Sequence, residues 1–106
     1  GIDIVAKGRD CGGDSAKSAG GGVVIFAQNS GAYGNCVKVD HGDGIVTLYA
    51  HLSKITVKVG DTLSAGDEVG KIGSTGRSTG NHLHFEVHID GKPVDPLYFV
   101  TYTEFV

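Results

Sequence analysis

The segment Asn81-His82-Leu83-His84-Phe85-Glu86-Val87-His88-Ile89 alternates polar and apolar residues from position 82 onward. Because successive side chains of a β-strand point to opposite faces, this period of two predicts a strand with one apolar and one polar face. The apolar face suits a protein core and consists of Leu83, Phe85, Val87 and Ile89. The polar face carries three imidazoles and a carboxylate, from His82, His84, Glu86 and His88. The segment therefore predicts a half-buried strand whose second face is rich in histidine.

The rest of the chain repeats the strand pattern in shorter runs. Apolar positions alternate or form runs of three or four, and no long stretch has helical periodicity. The 18 glycines between these runs indicate many tight turns. We expect a loop over residues 9–22, a hairpin turn over 41–44, an irregular tail from 93 to 96, and strands over 2–6, 22–27, 36–40, 45–51, 55–59 and 81–89. These elements predict an all-β fold.

Length, charge and hydrophobicity exclude several classes of protein. The 106 residues suit one domain, so residues 1–106 are treated as a single domain. A net charge of −3 gives little attraction to phosphate backbones and argues against a nucleic-acid partner. No apolar run approaches the roughly 20 residues of a membrane-spanning helix. Residues 1–3 resemble the middle of a strand and follow no leader peptide, so we expect a longer, exported parent protein that supplies the N-terminal portion of the domain.

The two cysteines, Cys11 and Cys36, leave two interpretations open. They could form a disulfide in an oxidising compartment, or they could be a free loop thiol and a small buried residue. Neither has a partner at the short spacing of a cysteine-ligated zinc site, which argues against a site of that kind.

Two further polar residues strengthen a metal-site interpretation of the histidine-rich strand. Imidazole is the commonest protein ligand for zinc, and a strand holds its ligands at a fixed spacing. Asp3 is flanked by two isoleucines and is predicted to point away from them, and His51 ends the predicted strand 45–51. Each feature has an ordinary alternative: a histidine-rich surface strand, a solvated edge carboxylate, or a strand-end histidine bonded to the backbone.

A series of short motifs in a fixed order carries a family resemblance. The motifs are Gly1-Ile2-Asp3-Ile4, Tyr33-Gly34-Asn35, Asp40-His41-Gly42, Tyr49-Ala50-His51-Leu52-Ser53, Gly73-Ser74-Thr75-Gly76, His82-Leu83-His84-Phe85-Glu86-Val87 and Gly91-Lys92-Pro93-Val94-Asp95-Pro96. The series covers nearly the whole chain and resembles the lysostaphin-like (LytM-type) zinc endopeptidases. The His-x-His strand after Ser-Thr-Gly-x-Ser-Thr-Gly is its most specific part, whereas Asp-His-Gly alone would be weak.

The resemblance implies two zinc ligands and two further active-site histidines in this chain. The family binds zinc through a His-x-x-x-Asp pair and the second His of His-x-His, so Asp3 and His84 correspond to ligands. The first histidine of that pair would lie two residues before Gly1. His51 and His82 match the two non-ligand, catalytic histidines. Residues 7–21 form a longer and more glycine-rich segment than is usual, so we expect a loop at one end of the groove, where the resemblance does not define substrate preference.

The chemistry of amide hydrolysis accounts for this set of residues. Zinc held by three protein ligands lowers the pKa of a bound water toward ~7 and polarises the scissile carbonyl. His51 and His82 would orient the water, accept its proton, and stabilise the oxyanion or protonate the leaving amine. Glu86 either orients a ligand or is merely solvated. We do not expect His88 at the site, and His41, in a turn, is expected to be exposed.

Polar turns supply a candidate substrate groove. Tyr33, Asn35 and Thr75 lie in segments of small or polar residues that suit an extended, glycine- or alanine-rich peptide. Ordinary turn chemistry explains each of these residues equally well.

The resemblance also implies the architecture and the reaction. We expect a compact antiparallel β-sandwich of the duplicated hybrid motif type, with a loop-walled groove over one sheet. The implied function is that of a zinc-dependent endopeptidase that hydrolyses peptide bonds in the stem peptides or cross-bridges of peptidoglycan. The expected location is outside the cytoplasm, in the cell wall or periplasm, or on a phage particle.

Two alternatives belong to other functional classes. A catalytically inactive family member would bind peptidoglycan or regulate a partner amidase, and the ligand that distinguishes it lies outside this sequence. A carrier domain would explain the biotinyl-like turns over residues 57–73. It would not require Asp3 or two histidines on one strand, and no hairpin presents a Met-Lys-type lysine.

Overall fold

The computed structural model describes residues 2–4, 10–76, 78 and 80–94. Within these residues it contains one 3₁₀ turn, Gly31–Tyr33, and nine β-strands. The strands are β1 (Ile2–Ile4), β2 (Ser15–Lys17), β3 (Gly22–Asn29), β4 (Asn35–Gly42), β5 (Ile45–Ile55), β6 (Thr62–Leu63), β7 (Glu68–Ile72), β8 (Leu83–Ile89) and β9 (Lys92–Val94). None of the described segments forms a helix with the length and apolar character to cross a membrane.

All strand pairs among the described residues are antiparallel and belong to one hydrogen-bonded sheet. The strand order is β1-β8-β5-β4-β3-β6, with β7 joined to β5, β2 joined to β7 and β9 joined to β8. The hairpin β4–β5 and the pairing of β5 with β8 form the centre of this sheet. The predicted all-β, antiparallel fold class is confirmed.

Strand β5 changes its pairing partner at His51. Its first part pairs with β8 as far as Ala50, and its second part pairs with β7 from Leu52 onward. At His51 the backbone has a φ of 61°, a left-handed conformation that few residues other than glycine adopt. The register of β5 against β4 also shifts by one residue here, so β5 contains a bulge. A bulge bends the strand that carries it, and this one directs β5 from β8 toward β7.

Both parts of the sheet contribute to one core. The apolar face predicted for β8 is buried, with Leu83 and Phe85 fully covered and Val87 1% exposed. Ala16 of β2 and Val69 of β7 belong to the same cluster. Removing the side chain of a valine, leucine or phenylalanine from water stabilises the fold by about 1.5–3 kcal/mol. Burial of one face of β8 leaves its polar face on the opposite side of the sheet.

The predicted loop over residues 9–22 contains a strand that the sequence did not indicate. Strand β2 pairs with β7, and Ala16 is fully buried between two polar neighbours. A strand of three residues with a single small apolar side chain carries no periodicity that could be read from sequence. The ends of this strand are held by tertiary contacts: the Ser15 hydroxyl donates to Glu68 Oε1 at 2.6 Å.

Several strand boundaries also differ from the prediction: β4 extends to Gly42, into the predicted hairpin turn, and β6 and β7 lie in a region where only turns were expected. Strand β5 continues through position 51 to Ile55, and the predicted separate strand over 55–59 is wrong, because residues 56–59 lie outside the strands. The tail around Pro93 begins with a strand: among the described strands β9 pairs with β8 alone, and such an edge position tolerates a proline. Strand β1 covers Ile2–Ile4, and the predicted residues 5–6 lie outside the described part of the chain, as does Pro96.

The hypothesis of a disulfide between Cys11 and Cys36 is wrong. Both thiols are free and buried, and they belong to different hydrophobic clusters. Cys11 lies outside the strands and packs in the main core, so it is a free loop thiol that is buried. Cys36 packs with Leu48 and Ala50 in a second cluster. Its position confirms the interpretation of Cys36 as a small buried residue.

Candidate active site

Asp3 and His84 face each other across two neighbouring strands. They are directly paired in the register of β1 against β8. The Nδ1 atom of His84 donates to Oδ1 of Asp3 at 2.7 Å. His82, two residues earlier in the chain, brings its Nε2 to 3.6 Å from the same carboxylate oxygen. The antiparallel pairing of β1 and β8 thus places one carboxylate between the two imidazoles of the His-x-His motif.

The bend in β5 adds a third imidazole. The centroid of the His51 ring lies 4.9 Å from that of His82 and 6.0 Å from that of His84. The Nδ1 atom of His51 is 2.7 Å from the carbonyl oxygen of Thr75. Because a carbonyl oxygen only accepts, Nδ1 carries the hydrogen in this bond. The lone pair of a neutral His51 is therefore on Nε2.

His82 has the same tautomer for the same reason. Its Nδ1 is 2.9 Å from the carbonyl oxygen of Gly80, which can only accept a hydrogen. The hydroxyl of Ser78 lies 3.1 Å from this Nδ1 and donates to the Gly80 carbonyl oxygen at 2.7 Å. The Nε2 atom that approaches Asp3 is thus the basic nitrogen of neutral His82. Hydrogen bonds to two backbone carbonyls therefore leave the Nε2 atoms of neutral His51 and His82 as proton acceptors.

Glu86 lies behind His84 on the same face of β8. It is 8% exposed and accepts three hydrogen bonds, from His84 Nε2 at 2.6 Å, His88 Nε2 at 2.7 Å and the Tyr33 hydroxyl at 3.0 Å. Burial acts to raise the pKa of this carboxyl, but the hydrogen bonds from His88, His84 and Tyr33 outweigh it and lower the pKa to about 2. Glu86 is therefore an ionised, buried partner of His84 and not a solvated residue.

The electrostatic environment keeps the Asp3 carboxylate ionised. Partial burial raises its pKa, whereas the hydrogen bond from His84 and the charges of nearby His82, His84 and His51 lower it, and the lowering is larger. The Tyr33 ring stacks against the His84 ring with centroids 6.0 Å apart. The pKa of Tyr33 is raised by burial and by its hydrogen bond to Glu86, so its hydroxyl stays protonated and donates.

These side chains surround one open groove with a volume of about 370 Å³. The groove is lined by Asp3, Ala32, Tyr33, His51, Ser78, His82 and His84. Among the candidate residues from sequence, the structure brings together Asp3, Tyr33, His51, His82 and His84. Ala32 was not predicted, and the neighbouring Tyr33-Gly34-Asn35 motif is the signal that could have found it. Ser78 lies within the Ser-Thr-Gly-x-Ser-Thr-Gly motif of residues 74–80, although it was not named there as a candidate residue.

The polar groups of Asn35 and Thr75 form hydrogen bonds within the protein. The Thr75 hydroxyl accepts from the Asn35 backbone amide at 3.0 Å and donates to the Leu52 carbonyl at 2.7 Å. The Asn35 side-chain amide donates to the same carbonyl at 3.0 Å. Gly34, at a φ of 66°, approaches so closely that a Cβ atom there would lie 2.4 Å from the Thr75 backbone. This clamp holds the segment whose carbonyl positions His51, a role that sequence reasoning missed.

The two remaining histidines lie outside the groove lining. His88 contacts Glu86 from the side away from His84, in agreement with its expected absence from the site. The expectation that His41 is exposed in a turn is wrong, because it is half-buried within β4. Its Nδ1 lies 2.7 Å from the carbonyl oxygen of Gly21 and its Nε2 lies 2.7 Å from the hydroxyl of Thr47. His41 thus links β4 to the start of β3.

The donor set fits part of a zinc site. Carboxylate oxygen and imidazole nitrogen are zinc ligands, and Oδ1 of Asp3 and Nδ1 of His84 face each other on rigid strands. The residues that the structure describes contain no group of three His, Cys, Asp or Glu side chains arranged to hold a metal ion. Two donors fit, and a complete site requires at least one more protein ligand.

The all-β fold and the histidine-rich groove define a class of protein, the lysostaphin-like peptidases. Comparison gives the family: the profile described as peptidase family M23 matches residues 1–96. The chain belongs to peptidase family M23. Membership of this family argues against the alternative hypothesis of a carrier domain.

Curated relatives are much longer than this chain. The DD-carboxypeptidase/endopeptidase Mpg of Neisseria meningitidis is 43% identical over 97 residues, which cover 92% of this chain and 21% of the relative. The peptidoglycan DD-endopeptidase ShyA of Vibrio cholerae is 45% identical over 80 residues, which cover 76% of this chain and 19% of the relative. Stage II sporulation protein Q of Bacillus subtilis is 36% identical over 103 residues, which cover 94% of this chain and 35% of the relative. The chain spans about a fifth of the length of the first two.

Solved structures share the fold. The catalytic domain of the antimicrobial peptidase lysostaphin from Staphylococcus simulans superposes with a TM-score of 0.84 at 35% identity, over 93% of this chain and 76% of that chain. A zinc-containing peptidase from Vibrio cholerae gives a TM-score of 0.72 at 41% identity, over 76% of this chain and 26% of that chain. These similarities confirm the lysostaphin-like resemblance.

Proposed function

We propose that the protein is a zinc-dependent endopeptidase that hydrolyses peptide bonds in the stem peptides or cross-bridges of peptidoglycan. The observation that carries this proposal is the contact of His84 Nδ1 with Asp3 Oδ1 at 2.7 Å, in the groove that His51 and His82 also line. A carboxylate–imidazole pair beside two imidazoles with basic Nε2 atoms supplies two of the metal ligands and the proton acceptors that metal-assisted amide hydrolysis uses.

Asp3 and His84 are the residues that would hold the zinc ion, through Oδ1 and Nδ1 respectively. We propose that a histidine two residues before Gly1 in the parent protein is the third ligand. Zinc, when bound, lowers the pKa of a coordinated water and polarises the scissile carbonyl. The acidic side chain of Asp3 and the neutral ring of His84 together leave a net positive charge at such a site, which favours a developing oxyanion.

His51 and His82 would perform the proton transfers. Each donates its Nδ1 hydrogen to a backbone carbonyl, so each presents the basic Nε2 atom. One imidazole can accept the proton of the attacking water, and the resulting imidazolium can protonate the leaving amine. The second can donate a hydrogen bond to the oxyanion once it is protonated.

The relatives support the substrate class and the location. Mpg and ShyA carry names that describe DD-endopeptidases, and the name of ShyA includes peptidoglycan. Because this chain covers about a fifth of each, the reaction of the whole protein is carried over as a proposal. Peptidoglycan lies outside the cytoplasmic membrane, so the protein would act in the cell wall or periplasm, or on a phage particle. An open groove suits an extended peptide.

A second candidate is a family member that binds peptidoglycan or a partner amidase without catalysis. The similarity to stage II sporulation protein Q, whose name describes no peptidase, favours it. The two candidates differ in bound metal and in product, so one experiment distinguishes them.

The experiment uses the full-length parent protein. Zinc content is measured by elemental analysis, and purified peptidoglycan is digested and its fragments analysed by mass spectrometry. We expect about one zinc ion per chain and new peptide termini, both of which Asp3→Asn removes. Asp61→Asn is the matched control, since this carboxylate accepts a backbone amide in a turn far from the groove. Bound peptidoglycan without zinc and without new termini would support the second candidate instead.

A further inference from the structure

Glu86 is the one buried carboxylate among the described residues, and the hydrolytic proposal assigns it no step. Removing a carboxylate from water is unfavourable unless hydrogen bonds and charges replace the lost solvation. Here three donors do so, and two of them are imidazoles at positions two residues before and two residues after Glu86. Alternation along β8 puts all three side chains on one face, so the carboxylate lies between His84 and His88.

The two oxygens of Glu86 have different partners. Oε2 accepts from His84 Nε2 at 2.6 Å and from the Tyr33 hydroxyl at 3.0 Å, whereas Oε1 accepts from His88 Nε2 at 2.7 Å. An ionised carboxylate only accepts, so Nε2 of His84 carries a hydrogen. By the same argument Nδ1 carries the hydrogen that it donates to Asp3, so a metal ion bound between these two atoms would replace that hydrogen and leave the one on Nε2 in place.

We propose that Glu86 is a positioning residue: it fixes the ring orientation and tautomer of His84 so that Nδ1 is the metal-binding nitrogen. The inference rests on the proposed zinc site, whose ligand pair is Asp3 and His84. A hydrogen bond from the non-ligating ring nitrogen to a carboxylate holds a histidine ligand in place and increases its basicity. Tyr33 and His88 fix Glu86 in turn, and Tyr33 also packs against the His84 ring.

Two substitutions separate the hydrogen bond from the charge. Glu86→Leu removes every acceptor and puts an apolar side chain of similar size opposite Leu48, the partner of Glu86 in the register of β5 against β8. Glu86→Gln retains one acceptor oxygen, and two donors converge on the Oε2 side, so we expect the amide oxygen to face His84. The amide NH₂ group then faces His88 Nε2, which must become an acceptor. His88 should therefore move its hydrogen to Nδ1, while His84 keeps its hydrogen on Nε2.

The test measures zinc affinity and ring protonation in the full-length protein. Zinc dissociation constants come from competition with a chelator, and ¹⁵N NMR of the histidine rings gives the tautomers before and after zinc is added. We expect Glu86→Leu to weaken zinc binding by about 10–100-fold and to remove the hydrogen-bonded Nε2–H signal of His84. Glu86→Gln should weaken binding by less than about tenfold and change the tautomer of His88 alone. Excess zinc should restore turnover to both variants.

Glu68→Gln is the matched control for loss of a paired carboxylate. Glu68 pairs with Lys71 on β7 and has no contact with the groove lining, so zinc affinity should be unchanged. Wild-type zinc affinity in Glu86→Leu, with unchanged His84 signals, would overturn the inference. If the wild-type protein binds no zinc, the proposed function fails. The ring signals of the metal-free variants then still decide whether Glu86 holds a hydrogen on Nε2 of His84. Should Glu86→Leu not fold, the His88 tautomer in Glu86→Gln gives the same decision.

Discussion

His51 donates its Nδ1 hydrogen to the Thr75 carbonyl at 2.7 Å from a backbone with a φ of 61°. One residue therefore both bends β5 and directs an imidazole into the groove. A left-handed conformation at a β-bulge is unfavourable for a residue with a Cβ atom, and such residues often occur at functional sites. The relationship links the shape of the sheet to the chemistry of the groove.

The backbone strain at position 51 predicts an unusual stability order. His51→Gly should have a free energy of unfolding about 1 kcal/mol greater than that of His51→Ala, because glycine adopts positive φ readily. Both variants lack the imidazole and should keep bound zinc while losing on the order of 10²–10⁴ in turnover. Urea unfolding, zinc content and peptidoglycan digestion measure the three quantities. Equal stabilities of the two variants would contradict a strained backbone at this position.

Thr75→Val should destabilise the protein although valine and threonine have nearly the same shape. The substitution removes the hydroxyl that the Asn35 backbone amide binds, and a partly buried donor without a partner costs about 1–3 kcal/mol. Movement of this segment also shifts the carbonyl that holds His51, so turnover should fall. Thr62→Val, at the exposed position of β6, is the control and should change stability by less than about 0.5 kcal/mol. A Thr75→Val variant as stable as Thr62→Val would disprove the clamp.

Substitutions in the groove should divide into two groups according to zinc binding. His82→Ala should retain zinc and lose on the order of 10²–10⁴ in turnover, because its Nε2 would act as a proton acceptor. His84→Ala should lose zinc and turnover together. Both are measured in the full-length protein by zinc content and by peptidoglycan digestion. Loss of zinc from His82→Ala would mean that the division between ligand and base is incorrect.

The buried thiols predict a two-stage reaction with a thiol reagent. Burial raises the pKa of the Cys36 thiol to about 11, so little thiolate is available at neutral pH. Cys11 is also buried, and its thiol donates to the Asn81 carbonyl at 3.3 Å. We expect no rapid reaction in the folded protein and two equivalents of thiol after unfolding without reductant. A sample reduced before unfolding is the control and should give the same number. Zero equivalents in the unreduced sample would indicate a disulfide.

The ion pair on β7 predicts a dependence of stability on pH. The hydrogen bonds from Lys71 and Ser15 lower the pKa of Glu68 from 4.5 to about 2. A carboxyl whose pKa is lower in the folded state stabilises the fold above the unfolded value, and this stabilisation decreases as pH falls from about 4.5 toward about 2. The difference in free energy of unfolding between wild type and Glu68→Gln should therefore be larger at pH 6 than at pH 3. Urea unfolding at both pH values measures it, and a difference that grows at pH 3 would reverse the sign of the argument.

Local patterns predicted the strands that have a full alternation of side chains. Residues 82–89 fixed one buried and one polar face, and the structure buries Leu83, Phe85 and Val87 on the expected side. Motif resemblance then identified the family and selected Asp3, His51, His82 and His84 as candidates, all of which line one groove. Strand β2 could not be predicted in this way, since three residues carry no period and their pairing with β7 comes from partners more than fifty positions away.

The sequence by itself determined which residues alternate along β8 and which family they resemble, because both are properties of neighbouring positions. The tertiary structure decided which distant groups meet. Asp3 lies 81 positions from His84, and only the pairing of β1 with β8 brings the two side chains to 2.7 Å. It also decided that Glu86 is a buried, triply hydrogen-bonded partner and that the two cysteines are apart. Periodicity specifies the face on which a side chain lies, but long-range pairing and the bend at His51 determine what that face contacts.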